Sequence, residues 1–181
     1  LSGNARVSFG SYLTQKYMGS IGYKKGKFSV FASANHDETQ GHRPGSEFYI
    51  DNGFLKLGYR INANFKVNID GNIAKFKSYD PGTVENPNTD PRHWIDILRG
   101  MGSISVENNF NNAEGEIRYY YNFGEHDIYD GFHSTDHNMG LMMYESFRPF
   151  KNSTLTIGFD FQENAGYAEQ RNDQGIKVAE I

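Results

Sequence analysis

The sequence predicts an all-β fold, an antiparallel up-and-down meander of about nine long strands with the pattern of a transmembrane β-barrel. Three observations predict it. Apolar and polar residues alternate with a period of two through most of the chain, which is the mark of a sheet with one apolar and one polar face. Every second connection is short, while the others are mostly long. Aromatics reach 15%, with 12 Tyr and 14 Phe, yet mean hydropathy is −0.69, so large hydrophobes are present but diluted almost everywhere. No apolar run approaches the roughly 18 residues of a membrane helix. A barrel strand needs only every second residue apolar.

The elements follow in order. Segments 4–13 and 16–24 are separated only by residues 14–15, and the tight turn "KKGK" (24–27) leads into 27–37. A long connection, 35–47, precedes 47–61, and "INAN" (61–64) leads tightly into 64–77. Within it "FKVNIDGNIAKF" sets Phe65, Val67, Ile69, Gly71 and Ile73 against Lys66, Asn68, Asp70 and Asn72. A second long connection, 77–96, precedes 97–110, and "NNA" (111–113) opens 113–124. There Ala113, Gly115, Ile117, Tyr119, Tyr121 and Phe123 oppose Glu114, Glu116, Arg118, Tyr120 and Asn122. A third long connection, 124–138, precedes 138–149, the least regular segment. Met139, Leu141, Met143 and Phe147 share a face, Met142 and Tyr144 lie on the other, and Glu145 breaks the apolar side. After "PFKNS" (149–153), the segment 153–166 sets Leu155, Ile157, Phe159 and Phe161 against Thr154, Thr156, Asp160 and Gln162. No helical period is present.

Up-and-down strands place all short turns at one end and the long loops at the other, as in outer-membrane barrels. Tyr23, Phe28, Tyr59, Phe65, Phe110, Phe147 and Phe150 flank the short turns, a ring at one level of the kind an interfacial girdle requires. The same aromatics could close the bottom of a β-sandwich. Strands of about 10–12 residues favour the membrane, where a tilted strand needs about 9–11. Lys66, Asp70, Glu107, Glu114, Glu116, Arg118 and Asp160 then line a lumen; in a sandwich they form the solvent face.

A net charge of −4 gives no support to a nucleic-acid partner. The absence of Cys excludes disulfides, Cys-ligated zinc and thiol catalysis. The chain starts at Leu1 without a leader pattern, so a removed signal or an excised piece is expected. No phosphate loop or nucleophile elbow occurs, and His126–Asp127, the one tempting catalytic pair, puts adjacent residues on opposite faces. The expectation is no enzyme, no cofactor and no metal site. All six histidines, His36, His42, His93, His126, His133 and His137, fall in or beside the long connections, most densely in "FGEHDIYDGFHSTDHN" (123–138). With Trp94 they are the candidate ligand-binding residues of an extracellular loop region. Such histidines can bind haem iron or a metal chelate, but loops also collect polar residues, and this spacing alone makes no metal site. Asp127, Asp130 and Asp136 do not follow the spacing of an EF-hand loop. Trp94 can stack on a sugar or porphyrin, or anchor at the outer interface; the anchor is the favoured reading.

The phrases "RVSFGSY", "GYKKGKFSVFASANHDETQGHRPGSEF", "FLKLGYRINANFKVNIDG", "DILRGMGSISVENNF" and "DGFHSTDHNMGLMMYESFRPF" resemble the TonB-dependent receptors, a family of outer-membrane transporters. They look like the first barrel strands after the plug domain, and the resemblance covers nearly the whole chain. It implies a 22-stranded barrel with an N-terminal plug, in the bacterial outer membrane, importing a scarce nutrient such as an iron chelate, haem, cobalamin or a glycan. The partners it implies are the outer-membrane lipid bilayer, the plug of the same full-length chain, an energy-coupling complex reached through the N-terminal region, and the extracellular nutrient. Residues 1–181 would form part of that barrel, without the plug and the remaining strands. The alternatives are a soluble β-sandwich that binds a ligand such as a glycan, and a small structural outer-membrane barrel.

Overall fold

The computed structural model describes residues 1–88, 93–172 and 174–181. These form a single antiparallel sheet of ten strands in sequence order: β1 (Ser2–Gly10), β2 (Thr14–Lys25), β3 (Phe28–Thr39), β4 (Phe48–Arg60), β5 (Phe65–Tyr79), β6 (Trp94–Asn109), β7 (Ala113–Ile128), β8 (Phe132–Phe147), β9 (Leu155–Arg171) and β10 (Lys177–Glu180). Each strand pairs only with its neighbours in sequence, and no pairing joins β1 to β10 among the described residues. The sheet is therefore an open meander. A sandwich needs a second layer, and none is present among the described residues.

No hydrophobic side chain is buried among the described residues. Ile69 is 49% exposed, Ile117 51% and Phe159 56%. The alternating pattern explains this. The register aligns Leu57, Ile69, Ile104 and Tyr119 on one face, followed by Leu141 and Phe161. On the other, Gly58, Asn68, Ser105 and Arg118 align with Met142 and Asp160. One face is thus an apolar sheet surface with nothing packed on it.

That apolar surface is a band with two edges. The short turns bound it on one side, where Phe28 lies opposite Tyr59 and Phe65 meets Phe110 edge-on at 5.5 Å. On the other side each central strand switches from apolar to polar on the same face. The switch falls between Ala34 and His36, Gly53 and Asp51, Ile73 and Lys75, Leu98 and Asp96, Phe123 and Glu125, Met139 and His137, and Phe161 and Glu163. From Phe65 to Ile73 the band runs about 27 Å along the strand at a rise of about 3.4 Å per residue. Strands β6 to β9 have 16 or 17 residues and run far past it. Beyond the switch the opposite face of the middle strands turns apolar, with Ile50, Phe76 and Ile97 in one row and Phe48 6.3 Å from Phe76.

Three expectations change. Beside the nine long strands expected, the described residues form a tenth, short one, "KVAE", too short to show a period. Both termini therefore point toward the short-turn end. The connection expected at 124–138 is strand on both sides of a turn at 129–131. The alternation of hydrophobicity stops there while the ladder continues, because beyond the band neither face needs a regular apolar stripe. The turn itself is compact: the Gly131 amide donates to the Ile128 carbonyl at 3.0 Å, the Phe132 amide to Asp130 Oδ1 at 3.0 Å, and Gly131 has φ of 90°. Lastly, the first connection is 11–13 rather than 14–15. The connection 80–93 remains long; within the stretch 79–94, residues 89–92 lie outside the described residues.

Candidate functional site

The polar ends of the strands carry the histidines, and the register divides them between faces. On the polar face, Arg99, Gly124 and Asp136 lie in one row across β6, β7 and β8. Gly124 offers no side chain, so Arg99 reaches across it and its Nη2 donates to Asp136 Oδ1 at 2.8 Å. Arg99 Nη1 lies 3.0 Å from His126 Nε2, and His126 Nδ1 lies 3.1 Å from Ser134 Oγ. The guanidinium has only donors, so Nε2 must accept and Nδ1 carries the proton. His126 thus has its accepting nitrogen taken by Arg99, and its Nδ1 lies 3.8 Å from Asp136 Oδ2. It presents a polar, hydrogen-bonding edge rather than a metal-binding one.

On the opposite face, His133 is 5% exposed and its Nδ1 lies 2.7 Å from Asp127 Oδ1. Asp127 also sits 3.9 Å from Arg171 Nη1, and Arg171 Nε donates to Glu169 at 2.5 Å. The Arg171 hydrogen bond is the main reason the Glu169 carboxyl lies below its usual range, with a further hydrogen bond from the Tyr167 hydroxyl. On β10, Lys177 is held above the usual lysine range, chiefly by the Tyr167 hydroxyl and then by Glu180. Glu125, Asp127 and His133 bring ligand atoms within 4.8 Å of one another, the one such group of three among the described residues. They are the residues that could hold a metal ion, although none was expected from spacing. The pair only meets because β8 pairs with β7 at Asp127 and His133 across the missed turn; "DG" at 130–131 was the available signal.

The other expected ligand residues lie apart from these two groups. His36 on β3 sits between Asp51 (Nδ1–Oδ1 2.7 Å) and Glu38 (3.4 Å) on the same face as His133. His137 stacks on Tyr121 with ring centroids 5.7 Å apart, and Lys77 lies 4.2 Å over the Trp94 ring, both also on that face. His93 stacks on Tyr129 at 4.2 Å, while His42 contacts Tyr12 edge-on at 6.4 Å. The seven residues therefore share an end of the sheet but not one cavity.

Nearer the short turns, the charges of the polar face pair with one another. Lys66 lies 3.5 Å from Glu107, Arg118 lies 2.7 Å from Glu116 and 3.5 Å from Asp70, and Asn68 donates to Glu107 at 2.5 Å. Asn68 and Ser105 are each 2% exposed and adjacent in register, yet Asn68 Oδ1 and Ser105 Oγ have no hydrogen-bond partner. Buried polar atoms of this kind are rare and ask for a partner.

No family model and no curated protein matches the chain.

Proposed function

We propose that this chain is part of the barrel of an outer-membrane active transporter of the TonB-dependent receptor type, which imports a scarce nutrient. One observation carries the proposal: a single sheet whose uncovered apolar face ends, strand after strand, along one polar edge. Water would drive such a face into a second layer, whereas a bilayer covers it and its interface accounts for the edge. The open edges at β1 and β10 support a larger closed sheet, because unpaired strand edges are not tolerated in lipid. The polar face would then line a lumen, with Lys66, Glu116 and Arg118 facing a domain that fills it.

Two substitutions on β9 test this in the full-length protein. Phe159→Arg, on the apolar face, is expected to impair membrane assembly, at a cost of about 2–4 kcal/mol near the midplane. Gln162→Arg, three residues on and facing the other way, is expected to assemble normally. Folding yield in vesicles and heat-resistant migration in gels report the difference. Equal damage from both would refute a lipid-facing and a lumen-facing side.

A further inference from the structure

Glu145 is the one charged residue within the apolar band of β3 to β9, between the short turns and the polar edge. It stands in a row with Asn108, Gly115 and Ile157. Gly115 makes this arrangement possible: a Cβ there would fall 2.2 Å from Glu145 Oε2 and 3.0 Å from Asn108 Oδ1. With the glycine in place, Glu145 lies across it, and Asn108 Nδ2 donates to its two oxygens at 2.9 and 3.1 Å. No described cation pairs with the carboxylate. Around it opens a cavity of about 510 Å³ walled by Phe65, Ile117, Met143 and Phe159. The row lies beside the short turns, level with the aromatic ring of Phe65 and Phe147.

We propose that this cavity binds a phospholipid with a primary-amine headgroup, a phosphatidylethanolamine, from the leaflet at the short-turn end. The ammonium donates to the Glu145 carboxylate while Asn108 fixes the carboxylate from the side. An acyl chain lies along the apolar walls over Gly115. An unpaired acid at an interfacial level calls for a cation, and its apolar surroundings call for an amphiphile. A primary ammonium offers three N–H donors to the carboxylate, whereas a choline headgroup offers none and a glycerol headgroup adds the repulsion of a net negative charge.

The proposal rests on the reading of this face as lipid-facing, and the test separates the two. The full-length protein is reconstituted in vesicles, extracted, and its retained lipids are measured by native mass spectrometry, with phosphatidylethanolamine and phosphatidylcholine of identical acyl chains as probes. The wild type is expected to retain the amine lipid about tenfold over the choline lipid, the size of one charge-assisted hydrogen bond. Glu145→Gln is expected to abolish the preference, and Glu114→Gln, on the other face, to keep it. Gly115→Val puts a side chain where Glu145 lies, its Cβ 2.2 Å from Glu145 Oε2, and is expected to displace the carboxylate and lose the preference too. Equal retention of both lipids by an assembled wild type, or a preference that survives Glu145→Gln, would overturn the proposal while leaving the barrel reading intact. Failure of the wild type to insert into vesicles at all would instead overturn the barrel reading, and the lipid site with it.

Discussion

Among single residues, the histidines show how much a face assignment matters. His126 and His133 are seven positions apart in sequence and nearly opposite in the ladder, yet His126 points to the polar face and His133 to the other. If the polar face is the lumen, only His126 with Arg99 and Asp136 stands on the path of a nutrient. His126→Ala is therefore expected to weaken uptake of the cognate nutrient about fivefold, the scale of one lost hydrogen bond. His133→Ala is expected to leave uptake unchanged, with both variants assembling normally. Growth on iron-chelate, haem, cobalamin and glycan sources checks this, and equal losses from the two would count against a lumen-facing His126. The sequence told which residues gather at this end and that His126 and Asp127 diverge. It could not tell that Arg99 occupies the accepting nitrogen of His126, because that contact depends on the β6–β7 register, which sets Arg99 opposite Gly124, two residues from His126 on the same face.

Among the elements, the β7–β8 hairpin is where sequence and structure part. Strands inside the band were legible because one apolar and one polar face force alternation, as Phe65 to Ile73 shows. Past the band, Glu125 to Ile128 and Phe132 to Asp136 have no one-sided environment to answer to, so the period fades although the backbone ladder persists. The turn is the part that can be tested. Gly131 has φ of 90°, and a Cβ there would lie 2.1 Å from the Arg171 carbonyl oxygen. Gly131→Ala is expected to destabilise the assembled protein by about 1–3 kcal/mol, read as a lowered urea midpoint. Direction can be tested independently. A cysteine at Asp130, in the exposed turn, is expected to react with an impermeant thiol reagent on intact cells, and one at Asn112, at the short-turn end, is not; the chain has no native Cys to interfere. Reversed labelling would invert the topology.

For the molecule as a whole, the period of two and the alternation of tight turns were enough to anticipate an antiparallel meander. The tenth strand was not legible because four residues hold barely two repeats of any pattern. What the composition hid was where the apolar surface stops. The two polar boundaries, one at the turns and one from His36 across to Glu163, act together as a gauge of thickness. At the roughly 45° tilt of barrel strands, the span of about 27 Å from Phe65 to Ile73 would stand about 20 Å high, short of the roughly 30 Å hydrocarbon core of an average bilayer. If the apolar face lies in lipid, the molecule is matched to a thin membrane and would have to compress a thick one. Refolding from urea is expected to go fastest into vesicles of short acyl chains and to slow as the chains lengthen, so that the same sheet that admits a protein to one membrane bars it from another.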